Sequence, residues 1–235
     1  MDIFNNNLRK VNIIETEIDY DDEKFYAEFT NKLSNKIISY IEKEDLSVFI
    51  DILNKTNKII EIKAILIFIV FHASVESFRF LEQYYKKCSS NVKSFACLSL
   101  TKSRLIIESK LYNKEDIPVY ICSGLGGKED KLKYFIAYFF QNELKTDEFS
   151  FLSYEIKNII TEQYSGDIEE INYKHDVIYF FSYIPINQKI KTICEKIRED
   201  IATLYKNELK SVFVCNDKKT IQNLLEKIPS KQTNE

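Results

Sequence analysis

Residues 1–116 contain neither glycine nor proline, and all four glycines and three prolines of the 235-residue chain lie beyond them. So long a run without a helix breaker, rich in Leu, Ile, Lys and Glu, predicts successive helices joined by short polar turns. Hydrophobic residues make up 45% of the chain and charged residues 29%, enough apolar surface for a packed core and too much for wholesale disorder.

Val11–Asp22 is the exception within this half. It alternates Ile14, Thr16, Ile18 and Tyr20 with acidic residues, so residues 1–22 are expected to form an arm holding a short strand. From Glu23 the spacing is helical: Phe25, Phe29, Leu33, Ile37 and Ile41 recur every four residues on one stripe. A second helix is expected over Leu46–Leu53, capped by Asp45 or Ser47. A third, Lys58–His72, is apolar nearly all round and so should be packed between neighbours. Ser74 is expected to cap a fourth helix reaching Lys87, and a fifth should run over Asn91–Tyr112.

The third and fifth helices are alike. Ile62-Lys63-Ala64-Ile65 and Val92-Lys93-Ser94-Phe95 stand thirty residues apart, each in a mostly apolar helix that follows a shorter one. Over residues 45–112 this pattern resembles HEAT-type helical repeats, whose paired helices stack into a surface for other macromolecules. A plain helical bundle is the competing expectation for residues 23–116.

Composition changes at Ile117. Pro118 opens a β-rich run, Val119–Cys122, followed by Ser123-Gly124-Leu125-Gly126-Gly127-Lys128. Two helices are expected next, Leu132–Leu144 and Phe149–Tyr164. Strands at Ile168–Tyr173 and Val177–Ile184, a helix at Gln188–Tyr205, a strand at Ser211–Cys215 and a helix at Lys218–Ile228 complete the order. The fold class is therefore α+β: an α-helical half, HEAT-like or a bundle, then a ferredoxin-like α/β sandwich with extra helices over 117–228, and a disordered tail at 229–235. The strand Val177–Ile184 is apolar on both faces, so something must cover the face that its helices leave open: the N-terminal helices, a second copy or a partner.

One segment has the look of a ligand site. Ser123, Gly124, Gly126, Gly127 and Lys128 crowd three of the four glycines into one loop between an expected strand and an expected helix. Such a turn leaves N–H groups free where a helix dipole favours an anion, and Lys128, Lys131 and Lys133 add positive charge. It is not a Walker A loop, because Cys122 replaces the first glycine and Glu129 stands where Ser or Thr should hold magnesium; the dinucleotide fingerprint fails as well. A tight connection packed under another element is the plainer explanation of the glycines.

Other chemistry is thinly supported. The aromatic strand Tyr179, Phe180, Phe181 and Tyr183 lacks the basic-glycine lead of RNA-recognition strands and reads as core. His72 reads as a satisfied helix-end histidine and His175 as a turn residue beside Asp176. Cys122, before the glycines, is the one thiol placed like an activated nucleophile. Glu76 with Glu82 and Glu169 with Glu170 read as solvated faces. Five scattered cysteines and two histidines form no metal motif, so neither metal nor cofactor is expected, and a formal net charge of −3 speaks against nucleic acid. Without an apolar N-terminal run or a spanning segment, the chain is expected in a reducing cytoplasm, with no membrane. These features point to a non-catalytic interaction or scaffold protein whose partner is another protein or a second copy of itself. The alternative is a ligand-sensing module that binds a nucleotide or phosphate at Ser123–Lys128.

Overall fold

A computed structural model describes residues 11–111, 119–205 and 208–228. The first residues of the expected arm, the Ile117–Pro118 boundary and the tail at 229–235 lie outside them. The chain divides into two compact units, one with residues 16–121 at its heart and one with residues 13–15 and those from Cys122 onward. The protein is α+β, helices first and an antiparallel sheet after.

Strand β1 (Val11–Ile13) pairs with β2 (Val119–Ile121), and the described residues of the first unit form six helices: α1 (Tyr20–Thr30), α2 (Asn35–Ile41), α3 (Leu46–Lys55), α4 (Ile59–His72), α5 (Val75–Lys87) and α6 (Ser90–Leu111). Local chemistry sets the boundaries. Asp19 accepts from the N–H of Asp21, Ser34 from Ile37, and Asp45 from Ser47, while Ser74 and Ser77 form a reciprocal capping box. The single stripe expected from Glu23 to Ile41 is thus two helices, because the Ser34 cap opens a new one after the chain leaves the helix at Asn31. Helix α4 packs on α2, α3, α5 and α6. Leu66, Ile69 and Val70 are fully buried in it, as its apolar girth requires.

In the second unit, β3 (Gly127–Lys128) turns back into β4 (Lys131–Phe140). Then come α7 (Thr146–Asn158), which ends in a π-helical turn over 159–163, β5 (Asp167–Lys174), β6 (Val177–Pro185), α8 (Ile190–Leu204), β7 (Leu209–Cys215) and α9 (Lys218–Lys227). All pairings are antiparallel. The long strands lie in the order β7-β4-β6-β5, with Ile136 opposite Phe180 and Val214, and β3 against the start of β4.

The expected helix Leu132–Leu144 is therefore strand β4, at the centre of the sheet. Tyr134-Phe135-Ile136-Ala137-Tyr138-Phe139-Phe140 is a continuous aromatic and aliphatic run, and such a run has no periodicity to tell a buried strand from a buried helix. Aromatic side chains favour the strand, and β6 and β7 on either side take up its backbone groups. Alternate residues of β4 feed two cores. Ile136, Tyr138 and Phe140 join Ile156, Ile160, Ile193 and Ile197 from α7, the π turn and α8. Phe135 and Ala137 join Ile221 and Ile228 on the opposite face. The second face of β6 is thus covered by α9 at Val177, Tyr179 and Phe181. Each large apolar side chain buried this way contributes about 1.5–3 kcal/mol.

Candidate functional site

Ser123, Gly124, Gly126, Gly127 and Lys128 are brought together as a turn, and its backbone is engaged internally. The Ser123 hydroxyl donates to the Gly126 carbonyl at 2.7 Å, and the Gly126 N–H donates back to the Ser123 carbonyl at 3.0 Å. The Gly127 N–H donates to the Glu15 carbonyl, and the Gly126 carbonyl also accepts from the Lys133 N–H. Gly126 has φ 70°, a left-handed conformation that suits glycine. A Cβ on Gly127 would stand 2.5 Å from the Lys131 carbonyl oxygen, and one on Gly124 2.5 Å from that of Asn216. These glycines answer to close backbone approach.

No helix follows the turn. Glu129, with φ 56°, and Asp130 reverse the chain directly into β4. The helix dipole on which the anion reading depended is absent from this loop, because the segment expected to supply it is a strand. Two of the three lysines are also committed. Lys131 lies 2.7 Å from Asp167 and Lys133 2.7 Å from Glu169, which leaves Lys128 exposed.

These ion pairs belong to the part of the sheet beyond α9. The Tyr183 hydroxyl donates to Glu169 at 2.9 Å, and the Lys133 ammonium lies 4.9 Å from the Phe181 ring centre. Burial pushes the Glu169 carboxyl up, but the hydrogen bonds from Lys133 and Tyr183 outweigh it and hold the group below its ordinary value. Burial likewise lowers the Lys133 ammonium, and bonding to Glu169, with help from Tyr183, carries it above its ordinary value. Glu169 is therefore a cross-strand partner and not half of a carboxylate pair with Glu170. Phe181 and Tyr179 pack on Phe135 at 5.3 and 6.1 Å between ring centres, within the core under α9.

Two hollows stand elsewhere. Between α8 and β7 a groove of about 290 Å³ is lined by Ile190, Lys191, Cys194, Glu195, Arg198, Val212 and Val214. Burial pushes the Cys194 thiol up to about 11, so at neutral pH it is a packing group and not a nucleophile. In the first unit a hollow of about 330 Å³ is lined by Val75, Phe78, Arg104, Ile107 and Glu108, with the Arg104 guanidinium 5.5 Å from the Phe78 ring centre. Neither hollow carries a sequence motif; one lies between α8 and strand β7 and the other between α5 and α6, juxtapositions that spacing along the chain does not announce.

His72 bonds Ser74 Oγ through Nδ1 at 3.0 Å and the Glu44 carbonyl through Nε2 at 3.2 Å, a satisfied helix-end histidine. His175 has φ 52° in the β5–β6 turn, with Nδ1 3.5 Å from Glu143. Cys122 follows β2 and has no helix N-terminus after it. Among the described residues, no three His, Cys, Asp or Glu side chains are grouped to hold a metal ion. No protein-family model matches the chain, and no curated protein matches it.

Proposed function

We propose that the protein acts by binding, as a non-catalytic interaction or scaffold protein of the cytoplasm whose partner is another protein or a second copy of the chain. The observation that carries this reading is a succession of large apolar side chains left in solvent on α2, α3 and α4: Ile37, Tyr40, Val48, Ile52, Ile59 and Ile60, the last 70% exposed. Single exposed apolar residues are commonplace. Six on three consecutive helices, two of them one turn apart on α3, suit a surface that a partner covers. The HEAT-like reading of residues 45–112 is supported by the alternation of α3, α4, α5 and α6, in which each helix packs on the next. The ferredoxin-like reading of the second unit draws support from its β-α-β-β-α-β order and from the strand sequence β7-β4-β6-β5. Five free cysteines suit a reducing compartment, and no described helix is long and apolar enough to cross a membrane.

The test is retention of proteins from an extract on the immobilised full chain, compared with an Ile52→Lys/Ile60→Lys variant of equal melting temperature. A partner retained by the wild type and lost by the variant supports the reading; identical sets on both refute it.

A further inference from the structure

The sheet has two edges, and they are built differently. Edge strand β5 carries Asp167, Glu169, Glu170 and Lys174, and its register breaks between Ile168 and Ile171, both devices that discourage strand addition. Edge strand β7 has both only at its start, where the charged Lys210 stands at a register shift opposite Phe139 and Phe140; beyond it, Ser211-Val212-Phe213-Val214-Cys215 holds no charge, no proline and no further shift. Among the described residues, no strand pairs with its outer side.

The backbone shows which groups point outward. The Phe140 N–H donates to the Asp176 carbonyl on the β6 side, and the Gln141 N–H donates to the Glu208 carbonyl on the β7 side. Successive residues of a strand alternate in this respect, so odd-numbered β4 residues face β7. Phe135, Ala137 and Phe139 stand opposite Cys215, Phe213 and Ser211. Those three β7 residues therefore spend their N–H and C=O groups on β4, while Val212 and Val214 turn theirs to the open edge. The same two valines line the groove beneath α8, and Val214 remains 37% exposed.

We infer that this edge is a dimer interface, in which two copies of the chain pair their β7 strands antiparallel about a two-fold axis at Phe213 and join two sheets into one. The edge is complementary to itself. With the axis at Phe213, Val212 faces Val214 of the second copy and Val214 faces its Val212. Each such pair exchanges both N–H···O bonds, as an antiparallel hydrogen-bonded pair does. The two Phe213 residues meet at the axis as the closer, non-hydrogen-bonded pair, on the face where Phe213 already lies 6.4 Å from the Phe135 ring. Lys210 falls opposite the uncharged Asn216 of the copy, so no like charges oppose across the strands. The groove rim alternates in sign through Lys191, Glu195 and Arg198, and presents no single-sign barrier to a copy of itself. This deepens the interaction reading by naming a partner, and it lies in the other unit from Ile52 and Ile60.

The test combines light scattering of the full chain with amide hydrogen exchange read residue by residue. The expected mass is about twice the 27.8 kDa of one chain, with the Val212 and Val214 amides protected in the dimer and exposed on dilution, while the Phe213 amide stays protected throughout. Val214→Lys, placed on a half-exposed side chain, is expected to give a folded monomer that melts where the wild type melts once diluted to monomer, without protection at Val212. A 27.8 kDa particle at every concentration overturns the proposal, whether or not those amides are protected. So does a dimer in which both amides exchange freely. Either result leaves the helical surface of the first unit to be judged by its own variant.

Discussion

Lys63 of α4 and Asp22 of α1 form an ion pair almost withdrawn from water, their side chains 17% and 8% exposed. The ammonium also lies 5.4 Å from the Phe95 ring centre and 5.7 Å from that of Phe25. Removing one partner strands the other charge in an apolar setting, which typically costs about 3–5 kcal/mol. Lys63→Ala is expected to lower the unfolding free energy by about that much in urea, and Lys63→Met with Asp22→Leu to recover most of it. A loss below about 1 kcal/mol for Lys63→Ala would mark the pair as a surface contact.

Each unit has its own core. Leu66 and Phe180 are fully buried, one in α4 and the other in β6. Leu66→Asp and Phe180→Asp are each expected to unfold the unit concerned, since an unpaired charge in a dry core costs several kcal/mol. Soluble variants of both with wild-type melting curves would contradict the core assignment.

The glycine turn separates backbone from side chain. Gly126→Ala places a Cβ at φ 70° and is expected to cost about 1 kcal/mol or more, whereas Lys128→Ala, on an exposed side chain, should leave stability unchanged. Phosphate is expected to leave the melting temperature where it was. A rise in the wild type, abolished by Lys128→Ala, would restore the ligand-binding alternative.

The Lys133–Glu169–Tyr183 cluster sets a pH dependence of definite sign. Glu169 titrates lower in the folded protein than its ordinary 4.5, so its contribution is complete above that value and is lost as pH falls through the depressed folded value. Lys133 titrates higher than its ordinary 10.5, so its contribution is complete below that value and is lost as pH rises through the raised one. Glu169→Gln is expected to flatten the acid limb of the stability profile and Lys133→Met the alkaline limb. An acid limb that Glu169→Gln leaves unaltered would contradict the assignment.

The helices of the first unit were legible because caps and period agree: Asp45, Ser74 and the apolar girth of α4 all point the same way. The Asn31–Ser34 break was not, since the four-residue stripe runs through it and only the Ser34 hydroxyl interrupts it. Strand β4 was misread because burial on both faces erases the alternation that marks a strand. That error carried into the site, for the loop's anion chemistry rested on a helix at Leu132 that does not exist. The cover over the second face of Val177–Ile184 was expected from the N-terminal helices, a second copy or a partner; α9 supplies it instead, through Ile221 and Ile228 from residues far along the chain. The β7 edge needs the register of β4 to be seen at all.

The interaction reading is tested most directly by titrating a partner retained by the wild type against the wild type and Ile52→Lys/Ile60→Lys in a calorimeter. Losing the hot spots at the centre of an interface costs about 2 kcal/mol or more, so with Ile52 and Ile60 in that role the expected result is a Kd weakened at least about thirtyfold, with melting temperatures equal. Equal Kd values for the two proteins would contradict the assignment of the α2–α4 surface as the binding face.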